Sequence, residues 1–186
     1  MASSESVIGL FGVTLLLVRA GSALGTGRRG IGFAALALVL ALVPLGGLPL
    51  VGYVRGITGD LSVTTLVLLT IGLCGGFLSG VEPQERRALS VLVVLGALFL
   101  YPMALGLGSF DPYRLGFEPS GLLAALSVVA VVAWFRQFYV LLVAVLVAVS
   151  SHALALTESP NLWDYLFDPW LVMASIYDLR SLWRKS

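Results

Sequence analysis

The chain has little of what a catalytic or disulfide-linked protein normally carries. Its 186 residues include one cysteine, one histidine and one lysine. The lone Cys74 lies inside an apolar run, which excludes an intrachain disulfide and a cysteine-rich metal centre, and is read as a small packing residue. Charge is scarce as well. Only 11% of residues are Asp, Glu, Lys or Arg, against about 25% in an ordinary soluble domain. The formal net charge is +1, so there is no basic surplus of the kind nucleic-acid binding requires. The first residues have no basic n-region, and Glu5 stands where a secretory signal would carry Lys or Arg. The first apolar stretch is therefore expected to be retained. The sequence has no internal repeat, low-complexity linker or long tail.

Apolar sequence is abundant. Hydrophobic residues make up 59% of the chain, and the mean hydropathy is +1.01. Seven apolar segments can be marked: 6–24, 31–54, 61–81, 88–107, 117–135, 138–156 and 169–183. A helix needs about 20 residues to cross ~30 Å of hydrocarbon, and most of these segments approach or reach that length. The alternating ten-residue pattern of a membrane β-barrel is missing. The expected fold is thus all-α, a polytopic helical bundle forming a single transmembrane domain over residues 1–186. It has about seven spans, or six if one of the two insecure segments fails to cross. Segment one is insecure because Arg19 interrupts it, and segment seven because it is short and holds Asp178 and Arg180. Only Arg136 and Gln137 separate segments five and six, which should form a tight antiparallel hairpin.

Ten of the eleven basic residues are arginines, and most occupy every second gap. Arg28, Arg29, Arg86, Arg87, Arg136, Arg184 and Lys185 fall on one side, and only Arg55 and Arg114 on the other. Cytoplasmic loops are the ones enriched in Lys and Arg. This predicts a multi-pass protein of the cell (inner) membrane with its N-terminus outside and its C-terminus cytoplasmic. The lipid bilayer is the expected partner, together with other membrane subunits or a homo-oligomer; no nucleic acid is expected.

That orientation gathers the polar candidates on the outer face. NLWDYLFDPWL (161–171) holds Asp164 and Asp168, four residues apart on one prospective helical face, with Trp163, Tyr165, Phe167 and Trp170 as an aromatic belt. Ser159-Pro160 and Asp168-Pro169 each look like a helix cap followed by proline, and Asp111-Pro112 repeats the pattern. His152 is placed near the outer surface as a satisfied interfacial histidine or a proton shuttle. Arg114 is a candidate partner for Asp164 or Asp168. The candidate outer-face binding residues are therefore His152, Asp164, Asp168, Arg114, Trp163 and Trp170. EPQERR (82–87) reads as a solvated cytoplasmic turn. Gly72, Gly76 and Gly80 form two overlapping GxxxG steps, a helix-packing face. Pro44, Gly46, Gly47 and Pro49 should break the second segment.

No catalytic set, metal site or cofactor motif emerges. The chain lacks the serine–histidine placement of rhomboid proteases, the cysteine–arginine–histidine set of exosortase-like transpeptidases and the retinal-binding lysine of rhodopsins. Three functional classes remain. A non-enzymatic accessory or scaffold component of a membrane assembly fits best. A small-solute transporter or channel would use the broken second segment. A membrane-embedded enzyme would act on a lipid or polyprenyl-linked substrate at the outer face.

Overall fold

The computed structural model describes residues 4–23, 28–72 and 81–183. Among these residues the protein is all-helical apart from one minimal hairpin. The helices are α1 (Ser4–Ala23), α2 (Arg28–Leu42), α3 (Leu50–Thr58), α4 (Val63–Gly72), α5 (Pro83–Ala104), α6 (Ser120–Phe135), α7 (Tyr139–Ala153), α8 (Leu162–Leu166) and α9 (Pro169–Trp183). The hairpin strands are β1 (Pro44–Leu45) and β2 (Leu48–Pro49), and a 3-10 turn occupies Pro112–Gly116.

Helix lengths correct the expectation of seven full spans. Among the described residues only α5 is both long and apolar enough to cross a membrane, and the apolar stretches of α1, α2, α4, α6 and α7 run 10–17 residues. The shortening has local causes. The Pro44–Pro49 hairpin divides segment two, and segment five becomes helical only after Pro119. Segment six stops at Ala153, after which Ala155 takes a positive φ of 48°. The end of segment three, with Gly76 and Gly80, lies outside the described residues.

The described chain divides into two compact units. In the first, α1 and α2 pack against each other, and Val13, Ala41 and Val51 form a fully enclosed core flanked by Leu10, Leu17 and Val54. Helix α2 stops before Val43 because a residue preceding proline is pushed out of the helical region. Pro44 then pairs with Pro49 and Leu45 with Leu48. The two turn residues, Gly46 and Gly47, have φ of 58° and 100°, as a tight two-residue hairpin demands. The Leu50 amide returns to the Val43 carbonyl at 3.0 Å, and the Tyr53 hydroxyl donates to the Leu45 carbonyl at 2.7 Å.

In the second unit, Glu82 caps α5 by accepting from the amides of Gln84 (2.8 Å) and Glu85 (3.1 Å), with Pro83 at the first helical position. Helices α6 and α7 form the expected hairpin. Its tight turn is made by Gln137 at φ 60°. Helix α9 runs antiparallel along α5: its late residue Asp178 bonds Arg86 near the start of α5, whereas Phe167, just before α9, lies against Gly96 further along. The core gathers Val63, Leu100, Leu122, Ala148 and the α8 residues Leu162, Trp163, Tyr165 and Leu166.

Candidate functional site

Four of the six candidate side chains are held at the α8 end of the second unit by the hydrogen-bonding demands of a five-residue helix. Asn161, fully buried, caps α8. Its Oδ1 accepts the Trp163 amide at 3.0 Å, and its Nδ2 donates to the Tyr113 carbonyl at 3.0 Å. The expected cap, Ser159, sits one step outside this arrangement. Its hydroxyl accepts the Asn161 amide at 3.1 Å and donates to Asp164 at 2.5 Å. The asparagine amide carries its acceptor and its donor on separate atoms, so it caps α8 through Oδ1 and ties it to the 3-10 turn through Nδ2. The turn comes so close that a Cβ on Gly116 would overlap Asn161 Oδ1 and lie 2.8 Å from Trp163.

Asp164 is exposed and accepts from the Tyr113 hydroxyl at 2.9 Å as well as from Ser159. Partial burial and this carboxylate contact push the Tyr113 phenol up to about 12. Asp168 is different. It is 5% exposed; Oδ1 accepts the Leu171 amide at 2.8 Å, capping α9, and Oδ2 accepts the Ser62 amide at 2.8 Å and the Thr65 hydroxyl. One carboxylate thus ties the start of α4 to the start of α9. The two aspartates are not an acidic pair. Phe167 between them is extended (φ −131°, ψ 141°), which breaks the helical register that four-residue spacing would need.

The aromatic belt is also revised. Trp163 is buried, its indole N–H donates to the Pro112 carbonyl at 2.9 Å, and its ring stacks on Phe167 at 5.7 Å. Tyr165 is buried too. Four of the five α8 residues are buried and only Asp164 is exposed, because so short a helix lies over the core with nearly its whole surface covered. Trp170 is exposed, as a belt residue would be. His152 directs Nε2–H at the Pro160 carbonyl (3.1 Å) and packs edge-on against Tyr165. That bond satisfies one of its two ring nitrogens.

Arg114 is not paired with Asp164 or Asp168; among the described residues it forms no ion pair. It lines an open polar cavity of about 680 Å³ with Asp111 and Glu118. Asp111 does cap the 3-10 turn, accepting the Tyr113 amide at 3.0 Å. Gly72 is the last residue of α4 and is buried.

Three polar constructions were not anticipated from the sequence. In the first unit, Arg55 forms a two-point ion pair with Asp60 (2.5 and 2.8 Å) and a third contact with Glu158 (2.9 Å). Those hydrogen bonds hold the guanidinium pKa above its ordinary value. In the second unit, Arg86 pairs with buried Asp178, whose other oxygen accepts from Ser90 at 3.1 Å. Glu85, expected in a solvated turn, is buried and accepts the Leu141 amide at 2.9 Å. It caps α7 from another helix, because the residue at the cap position, Phe138, has no acceptor to offer. Sequence spacing signals contacts four residues apart, not contacts between segments 50 to 100 residues apart.

Among the described residues no three of His, Cys, Asp and Glu gather as a metal site requires. No family model matches the chain, and neither the curated proteins nor the solved structures yield a match.

Proposed function

We propose that this chain is a multi-pass protein of the inner (plasma) membrane, serving as a non-enzymatic accessory or scaffold component of a membrane assembly. The observation that carries the non-enzymatic part is the state of the acid–base groups at the α8 end. Asp168 has both oxygens engaged, Asp164 accepts from Tyr113 and Ser159, and the Nε2 of His152 is bonded to a backbone carbonyl. General acid–base work needs a titratable group within reach of a substrate proton. These groups are instead committed to holding α8 and α9 in place.

The membrane part draws support from the surface. Leu, Val, Ile and Phe side chains stand exposed along α2, α5, α6 and α7, among them Ile31, Val39, Leu95, Leu98, Val128 and Leu146. Water-soluble monomers rarely expose apolar patches beyond a few hundred Å². Seven crossings, N-terminus out and C-terminus in, remain the favoured threading. Helices of 15 or 16 residues reach about 22–24 Å, short of a hydrocarbon core of ~30 Å, a mismatch that local bilayer thinning accommodates. The antiparallel course of α9 along α5, with Asp178 neutralised by Arg86, supports a crossing by the seventh segment.

The transporter reading has one observation in its favour, the hairpin that interrupts segment two. It is weakened because the Leu45 carbonyl in that hairpin is already taken by Tyr53.

Native electrophoresis of gently solubilised membranes tests the proposal. The chain should migrate in an assembly well above its own 19.7 kDa, and Asp164→Asn and His152→Ala should leave that assembly intact. A lone chain whose lipid-converting activity disappears with either substitution would overturn it.

A further inference from the structure

Within the second unit, α5 and α6 stand apart and leave a groove between them. Helix α7 lines its floor, and Trp163, Leu166 and Phe167 close one end. Its volume is about 360 Å³, within the range of small-ligand sites. The lining is hydrocarbon except for Thr64, whose hydroxyl is engaged by the Tyr165 carbonyl at 3.3 Å. Water needs two to four polar partners to occupy a cavity, and this groove offers none. One side is open, since Leu95 on α5 and Ala125 on α6 are both exposed.

The polar cavity that holds Arg114 shares helix α6 with the groove. Ser120 and Gly121 of α6 line the polar cavity, and the next residue, Leu122, lines the apolar groove. Its charges are mixed: one guanidinium from Arg114 and two carboxylates from Asp111 and Glu118. An anionic headgroup would meet repulsion from the carboxylates, and a purely cationic one repulsion from Arg114. A zwitterion with a phosphate and a primary ammonium complements both signs, and its N–H groups can donate to the carboxylates.

We propose that the second unit binds one ethanolamine phospholipid, with an acyl chain in the α5–α6 groove and its phosphate and ammonium at Arg114 and Asp111/Glu118. The site rests on the membrane reading given above. The carboxylates of Asp111 and Glu118 make the headgroup contact selective for a primary ammonium, Arg114 meets the phosphate that every phospholipid carries, and the groove is indifferent to the headgroup. The two parts can therefore be removed separately.

The test is native mass spectrometry of the full chain released from nanodiscs of equal phosphatidylethanolamine, phosphatidylglycerol and phosphatidylcholine. The wild type should retain one phosphatidylethanolamine, enriched roughly fivefold over its bulk share, the discrimination expected of a single charge-assisted contact. Glu118→Gln should keep a bound lipid but return its headgroup toward bulk proportions, whereas Arg114→Ala should weaken retention of all three lipids alike. Ala125→Trp, at an exposed position, should fill the groove and abolish retention, and Leu92→Trp provides a second blocking variant should the first fail to fold. Retention in bulk proportions by the wild type, or retention undiminished in a folded groove variant, would overturn the lipid site while leaving the membrane reading intact. A chain that does not enter nanodiscs, and that alkaline carbonate strips from native membranes, would overturn both.

Discussion

Arg86 near the start of α5 and Asp178 near the end of α9 form an ion pair across two antiparallel helices, 92 residues apart in sequence. The carboxylate side chain is 5% exposed and the arginine 27%. Breaking a buried pair leaves its partner uncompensated, at about 3–5 kcal/mol, and the partial exposure of Arg86 places this pair toward the low end. Asp178→Ala should therefore destabilise the second unit by roughly 3 kcal/mol, read by denaturant unfolding in micelles. Arg86→Met combined with Asp178→Leu should recover most of that loss. If the double variant is no better than the single one, the ion pair is not what joins α5 to α9.

Ser175 lies one turn before Asp178 and is fully buried, yet among the described residues its hydroxyl has no hydrogen-bond partner. An unsatisfied buried polar group costs about 1–3 kcal/mol. Ser175→Ala should accordingly raise stability by about 1 kcal/mol without changing helix content. Destabilisation by this substitution would mean the hydroxyl has a partner in the assembled protein.

Gly116 and Asn161 meet too closely for any side chain at the glycine. Gly116→Ala should push Asn161 away from the Trp163 amide and the Tyr113 carbonyl, with overpacking adding about 1–3 kcal/mol to the loss of the cap. Loss of the native tryptophan fluorescence of the α8 region before global unfolding is the expected signature, since Trp163 is held between the Pro112 carbonyl and Phe167. An unchanged spectrum would contradict the cap.

Tyr113 should titrate at about 12, above the ordinary tyrosine value of about 10. A raised pKa means the folded state holds the proton more tightly. The Tyr113–Asp164 contact thus contributes fully below pH of about 10 and is lost as pH rises to about 12. Phenolate absorbance compared between wild type and Tyr113→Phe measures this directly. The substitution should remove one late-titrating phenol and flatten the alkaline decline in stability.

Much of the helical order was legible because hydrophobic runs and proline caps are local signals. Segment seven, 169–183, coincides with α9, and the Arg136-Gln137 turn falls where the sequence places it. The Pro44–Pro49 break was also readable, because proline and left-handed glycines act through their own backbone. What the sequence hid is non-local. Glu85 looked like a solvated turn residue until α7 brought the Leu141 amide to it. Asp168 looked available for binding, but Ser62 and Thr65 reach it from more than 100 residues away. Trp163 and Tyr165 read as interfacial anchors because nothing in their spacing reveals that α8 folds over the core.

If α9 crosses the membrane antiparallel to α5, the end of the chain must lie on the same side as Arg86 and Arg87. Paired fusions after Ser186 test this most directly, one to green fluorescent protein and one to alkaline phosphatase, in cells where each reports only its own compartment. The expected result is a fluorescent green fusion and an inactive phosphatase, which places Arg184 and Lys185 in the cytoplasm. An active phosphatase with a dark green fusion would put them outside. That result would remove the seventh crossing and break the alternation of basic loops that orients the chain.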